Sequence, residues 1–110
     1  MLFCITANYM PKALTAMREN PSTNRREAVE QMVVAAGGKV VSMYATIAEG
    51  PGALLIIDVD PLAAPAITSV ITSSEAVHNV RMMRLFTQDE VVTIRQTAKK
   101  IRGSYKVPGQ

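Results

Sequence analysis

The feature that most constrains the fold of this chain is a run of four apolar residues, Leu54-Leu55-Ile56-Ile57, within the segment from Lys39 to Asp60. A strand with one face in water alternates apolar and polar residues, so an unbroken run predicts a strand that is covered on both faces. The sequence Glu49-Gly50-Pro51-Gly52 ahead of the run is typical of a turn between two strands. We therefore predict a central strand with helices on one face and a second subunit on the other.

Periodicity predicts the remaining elements. Alternation indicates strands over Met1 to Tyr9 and Val77 to Leu85. Helical spacing predicts a short helix from Pro11 and helices over residues 25–36 and 62–73. A last helix begins at the capping box of Thr87 and Glu90. Its apolar stripe consists of Val91, Ile94, Ala98 and Ile101. The order β-α-β-β-α-β plus a C-terminal helix is the ferredoxin-like plan, an α+β fold with an antiparallel sheet.

Length and composition predict one small domain. The 110 residues suffice for a single domain, expected over residues 1–102, with a flexible basic tail over 103–110. Aromatic residues make up only 5% and Trp is absent, so the core must be small and aliphatic, which favours a homodimer or higher homo-oligomer. The chain enters its first strand without a basic region, and no apolar stretch approaches the roughly 20 residues that span a bilayer. We expect a cytoplasmic protein without a membrane partner.

The charges are unevenly distributed. Residues 81–110 contain seven Lys or Arg and two Asp or Glu, which gives +5, whereas the rest of the chain is at −2. Tyr105 is the only aromatic residue among the cations from Arg95 onward, and no recognition motif accompanies them, so we do not expect nucleic acid as a partner. Cations in the last turn of a helix also complement its dipole.

Three polar residues are predicted to share the sheet face that lacks helices. Asn8, Tyr44 and Arg81 come from three different strands. An amide, a phenol and a guanidinium on one face are suited to orienting a small polar or anionic ligand. The alternative interpretation is a network of hydrogen bonds between subunits.

Three other residues are weaker candidates. His78 is the only histidine, and strand alternation predicts that it lies on the helix-packed side, as a packed residue or as a base. Arg25 starts a helix, where a cation is unfavourable, so it is either an ion-pair partner of Glu27 or Glu30 or a group held for a ligand. Cys4 is interpreted as a small core residue. No metal-ligand cluster, phosphate loop or nucleophile triad is found, so we expect no cofactor and assign no catalytic residue.

Several motifs together resemble the GYD-domain family over about residues 3 to 100. The matching segments are Asn8-Tyr9, Arg25-Arg26-Glu27-Ala28, Gly37-Gly38-Lys39-Val40, Ser42-Met43-Tyr44, Asn79-Val80-Arg81 and Phe86-Thr87-Gln88-Asp89-Glu90. The resemblance implies a small bacterial ferredoxin-like protein, akin to dimeric α/β-barrel proteins, and implies no particular activity. The Gly-x-Tyr-Asp signature is expected at the hairpin turn, where this chain has Ala48-Glu49-Gly50-Pro51-Gly52, so a role for that motif does not carry over.

Two functions are compatible with these observations. The first is an oligomeric module that binds a small molecule or a partner in a pocket on the open sheet face. The second is a small cofactor-independent enzyme, an isomerase or monooxygenase of the dimeric α/β-barrel type. An enzyme needs a titrating side chain in its cavity, and a binding module does not.

Overall fold

A computed structural model describes residues 1–109 and confirms the predicted order of elements. The strands are β1 (Leu2–Tyr9), β2 (Lys39–Ile47), β3 (Pro51–Asp58) and β4 (Val77–Leu85). The helices are α1 (Pro11–Glu19), α2 (Arg25–Ala35), α3 (Ala63–Ser73) and α4 (Gln88–Ile101), followed by a 3-10 turn over Arg102–Ser104.

The strands form one antiparallel sheet in the order β2-β3-β1-β4. This order, with the C-terminal helix, fits the predicted ferredoxin-like α+β fold. Strand β3 lies inside the sheet, as its apolar run predicts. Helices α2 and α3 cover one face, which we call the helix face. Within the described residues no helix packs on the other face, which we call the open face.

The core lies between the helix face and the two covering helices. Ile57 of β3 and Val33 of α2 are fully buried at its centre. The other buried members are Phe3, Ile5, Leu55, Val59, Ala64 and Ile67. The core is a single layer of side chains between the sheet and one layer of helices. It is therefore small, as the composition predicts.

A bulge in β2 corrects one predicted strand face. The pairing with β3 shifts between Val40 and Ser42, so Val41 is the extra residue. Val40 packs against the core, whereas Val41 is exposed. Strict alternation along β2 would put Val41 on the same face as Met43, and the inserted residue breaks that alternation.

A second bulge, in β4, corrects the predicted face of His78. The pairing of β1 with β4 shifts between Thr6 and Asn8, and Asn79 adopts a left-handed backbone with φ of 56°. Asparagine tolerates this conformation better than most residues. His78 is consequently paired with Asn8 and belongs to the open face, not to the helix-packed side as predicted.

Helix α4 leaves the domain instead of packing on it. The predicted capping box is present, with the Thr87 and Glu90 side chains each accepting a hydrogen bond from the other residue's backbone N–H. The predicted stripe exists on the helix, but α4 makes no extended contact with the sheet or with the other helices. The radius of gyration is accordingly 18.2 Å, compared with roughly 13 Å for a compact domain of this size.

Arg84 fixes the base of this projecting helix. Its guanidinium lies over the ring of Phe86 at 4.5 Å and over that of Phe3 at 5.8 Å. The same group donates to a Glu90 carboxylate oxygen at 2.7 Å. This bond and the capping hydrogen bond from Thr87 lower the pKa of the Glu90 carboxyl from its ordinary 4.5.

The Glu90 contact predicts a pH-dependent difference between the native chain and Glu90→Gln. Glutamine keeps the cap but loses the charge that faces Arg84. Because the folded-state pKa of Glu90 is lowered, its stabilisation is present above pH 4.5 and is lost as the pH falls through the folded-state pKa.

We expect the native chain to have the higher Tm at neutral pH and the difference to vanish in acid. Asp58, whose pKa is lowered by the N-terminal ammonium at 2.8 Å, is present in both proteins and cancels in the comparison. Thermal denaturation from neutral pH to pH 3 measures the difference. A gap that persists unchanged at the lowest pH contradicts the assignment.

Candidate functional site

Strand register confirms that Tyr44 and Arg81 share the open face. One cross-strand row runs Tyr44, Leu54, Thr6, Arg81 across all four strands. Tyr44 is 62% exposed at one edge, and Arg81 is exposed at the other. Asn8 lies on the same face in the next row, so the three predicted residues do come from three strands of one surface.

Asn8, however, is occupied by contacts within the chain. It is buried, and its amide nitrogen donates to the carbonyls of Ala48 at 2.9 Å and Gly50 at 3.2 Å in the β2–β3 turn. Its amide oxygen accepts from the side chain of Asn79 at 3.1 Å. Asn8 thus joins the hairpin turn to the bulge of β4 and presents no free amide proton to a ligand.

A depression of about 370 Å³ lies beside this network on the open face. We call it the open-face depression. Arg81 and Glu49 provide one cation and one carboxylate among its lining residues, which also include Thr6, Thr46 and Asn79. Tyr44 does not line the depression, although its row neighbour Leu54 does. Two of the five predicted site residues, Asn8 and Arg81, therefore meet there.

His78 and Arg25 lie elsewhere. His78 lines a separate surface depression with Thr72 and Glu75, at the end of α3 and the start of β4. Arg25 lies on the opposite side of the sheet, at the first residue of α2. Asn8 and Arg81 thus meet in the open-face depression, whereas Tyr44, His78 and Arg25 each lie apart from it.

A different site lies between the helix face and the helices. The register places Ala45, Ala53 and Ala7 in one cross-strand row of the helix face, which we call the alanine row. Methyl groups leave the space that larger side chains would occupy. The result is a cavity of about 200 Å³, with Ala53 and Ala7 among its lining residues. We call it the alanine cavity.

Most residues that line the alanine cavity are apolar. Its remaining apolar residues are Ile5, Ala28, Val29, Met32, Met43, Leu55, Val70, Ile71, Ala76 and Val77. Its polar members come from the ends of elements, with Tyr9 ending β1, Arg25 starting α2 and Ser74 following α3. The topology brings these three ends to the same edge of the sheet, so the polar groups lie together at one end of an apolar space.

Arg25 has no acidic partner within residues 1–109. The carboxylate of Glu30 binds the neighbouring Arg26 instead, at 2.9 Å. Arg25, Tyr9 and Ala76 also line a second depression of about 240 Å³ between α1 and α2. The guanidinium therefore lies at the border of two cavities, and it adds to the positive end of the α2 dipole.

Sequence reasoning missed the alanine cavity because no local pattern reveals it. Each alanine of the row is unremarkable on its own strand, and the cavity follows only from the cross-strand register. The one available signal is the cation at the start of α2, which is unfavourable in a helix without a partner.

A comparison with protein-family models decides the family. The model of the GYD domain matches residues 3–94 of the 110-residue chain. The chain belongs to the GYD domain family. No curated protein matches it. The family assignment agrees with the fold, since the match covers the whole sheet and the two helices packed on it.

In this GYD domain the turn between β2 and β3 has a defined backbone conformation. Glu49 and Gly50 both have positive φ, at 59° and 114°, in the three-residue loop that follows Ile47. A side chain on Gly52 would lie 2.2 Å from the carbonyl oxygen of Ala7, so only glycine fits there. The turn without the family signature is therefore held by Asn8 and by the close approach of β3 to β1.

Two absences complete the description of the site. Among residues 1–109 no group of three or more His, Cys, Asp or Glu side chains is arranged to hold a metal ion. Within the same residues no helix has the length and apolar character needed to cross a membrane.

The hydrogen bonds of Asn8 predict a structural role for it. Asn8→Ala leaves two turn carbonyls and the Asn79 amide without their partner, so we expect a loss of about 1–3 kcal/mol in the free energy of unfolding. Thr6→Val, on the same strand and face but outside the network, should change it by less than about 0.5 kcal/mol. Urea denaturation of both variants measures the difference, and equal stabilities would show that the network contributes nothing.

Proposed function

We propose that this GYD domain protein is a homo-oligomeric module that binds small carboxylic acids in the alanine cavity. The observation that carries the proposal is the pairing of an apolar space with a cation that lacks an acidic partner among the described residues. Ligand sites are concave and mostly apolar, with a few polar groups that fix the ligand's orientation. The alanine cavity has this composition.

The volume limits the size of the ligand. The cavity measures about 200 Å³, and an apolar cavity of about 150 Å³ accepts a benzene ring in another protein. One ring, or an alkyl chain of similar volume, therefore fills the space between Ala53 and the helices. A larger molecule has to extend past Arg25 into the adjoining depression.

The positive charge of Arg25 favours a ligand with a carboxylate. A carboxylate at the polar end meets the guanidinium of Arg25, the N-terminus of α2 and the phenol of Tyr9. Hydrogen bonds between a guanidinium and a carboxylate are charge-assisted and stronger than neutral ones. An acid with an apolar body thus satisfies both parts of the cavity at once.

The lining favours binding over catalysis. Among the described residues that line the alanine cavity there is no His, Cys, Asp or Glu side chain. Proton transfer and covalent catalysis usually depend on such groups. The isomerase or monooxygenase alternative would have to use Tyr9 or Ser74 in this cavity, whereas a binding module needs no group that transfers a proton.

The open face supports the homo-oligomer. Its rows combine apolar side chains such as Leu54, Ile56 and Met83 with Tyr44 and Arg81, and Met83 is 59% exposed in the single chain. A stable interface typically buries about 800 Å² on each partner and has an apolar centre. We infer that a second copy covers this face and encloses the open-face depression.

Ligand binding is tested by calorimetry with benzoate, phenylacetate and hexanoate, each compared with the matching alcohol. We expect the acids to bind more tightly than the alcohols. Arg25→Met should weaken acid binding about tenfold, which corresponds to one charge-assisted hydrogen bond. Arg26→Met is the matched control, because Arg26 lies next in sequence but does not line the cavity.

Filling the cavity tests its location. Ala53→Leu should abolish binding of acids and alcohols alike, while Ala45→Leu, in the same row but outside the lining, should leave it intact. Loss of binding in Arg81→Met instead would place the site in the open-face depression. If no acid binds the native protein, the proposed function is wrong.

The homo-oligomer is tested by sedimentation at micromolar concentration. We expect the native protein to have at least twice the 11.9 kDa mass of one chain. Met83→Glu puts a charge in the open-face row that Met83 shares with Cys4 and Ile56, and it should dissociate the assembly without unfolding the chain. Val34→Glu, at a 64% exposed position on α2, is the matched control and should not. A native species of single-chain mass contradicts the proposal.

A further inference from the structure

Helix α4 is fully formed, but beyond the contact of its first turn with Arg84 it makes no extended contact with the rest of residues 1–109. Val92, Ile94 and Ile101 are 47%, 47% and 54% exposed. Isolated helices shorter than about 12–15 residues are marginal in water, and most helical stability in proteins comes from packing an apolar face. With 14 residues, α4 is close to that limit. A surface outside the chain is therefore needed to cover it.

The spacing of the stripe residues indicates the shape of the surface that could cover them. Val91, Ile94, Ala98 and Ile101 recur at intervals of three, four and three residues, which keeps them on one side of the helix. The 14 residues of α4 span about 21 Å. The stripe itself, from Val91 to Ile101, covers about 15 Å of this length, enough to lie along a neighbouring helix or across several strands.

Charge distinguishes among the surfaces that could cover the stripe. Residues 1–80 contain five Lys or Arg and seven Asp or Glu, a net −2, and residues 81–110 are at +5. The α4 region of one copy is therefore attracted to residues 1–80 of another and repelled by the other copy's α4 region. Nucleic acid would neutralise the cations but would leave the apolar stripe in water.

The position of α4 brings a second copy within its reach. The helix follows β4, an edge strand that borders both faces of the sheet. Its capping box and the bond between Arg84 and Glu90 hold its first turn in place. Because β4 also borders the open face, a copy seated there lies beside the strand from which α4 extends.

We propose that the α4 stripe packs against residues 1–80 of a second copy of this chain, so that α4 acts as an arm that clasps its partner. The inference rests on the proposed homo-oligomer. In a twofold dimer the contact occurs twice, which doubles the area that the arms add to the open-face interface.

The first test compares two substitutions of equal charge on opposite sides of α4. Ile94→Glu lies in the stripe and should raise the dissociation constant of the oligomer at least tenfold. Gln96→Glu lies on the opposite side of the helix and should raise it less than twofold. Neither position packs within its own chain, so circular dichroism and Tm at concentrations where the chains are separate should match for the two variants.

The second test locates the surface that the arm touches. The photoreactive residue p-benzoylphenylalanine is placed at position 94 or, as a control, at position 96. Irradiation should give a covalent dimer from position 94 only, and peptide mapping should find the attachment within residues 1–80 of the other copy.

The possible contrary results distinguish failure of the α4 contact from failure of the homo-oligomer. Attachment to the other copy's α4, or equal effects at positions 94 and 96, overturns the arm. If Met83→Glu dissociates the assembly and Ile94→Glu does not, the open-face interface holds and the arm alone is wrong. A native protein that sediments as single chains, with or without affinity for a DNA duplex, overturns both the arm and the homo-oligomer.

Discussion

The sheet has two faces rich in apolar side chains, and the chain's own packed helices cover only one of them. Leu55 and Ile57 point into the core, whereas Leu54 and Ile56 of the same strand lie half-buried on the open face. Burying apolar surface is worth roughly 25 cal/mol per Å², so an uncovered face of this kind favours association. The buried Asn8, the projecting α4 and the proposed second copy are best understood as consequences of this one-sided cover.

Asn8 shows how the open face remains ordered without a layer above it. A buried amide left unpaired is costly, and here its two protons and its oxygen all have partners in the turn and in the β4 bulge. The network joins three segments that are far apart in sequence. It lies beside the open-face depression, and its bonds to the turn use backbone carbonyls that any sequence there provides. Because these bonds do not depend on the turn's side chains, the hairpin is ordered without the Gly-x-Tyr-Asp signature.

Local patterns in the sequence sufficed to predict the elements and part of the open face. The apolar run of β3, the Thr87 and Glu90 capping box and the alternation of β2 beyond Ser42 are each visible within a few residues, and each is confirmed. Bulges are different, because an extra residue at Val41 or Asn79 leaves no mark in the pattern and inverts the faces beyond it. The error over His78 follows directly from this. Asn79, one of the few residue types that tolerate a left-handed backbone, is a weak sign of the bulge.

The alanine cavity and the direction of α4 depend on relations that no single segment contains. The cavity exists because alanines of neighbouring strands fall in one register, and α4 projects because Arg84 and Glu90 fix its first turn away from the sheet. The alanine cavity lies on the helix face, whereas the subunit contact that we propose lies on the open face. The proposed ligand would pack between α2 and α3, so its binding would not require the proposed second copy to leave the open face. We therefore expect assembly and ligand binding to be separable, unlike the case of a ligand site that is formed at a subunit interface.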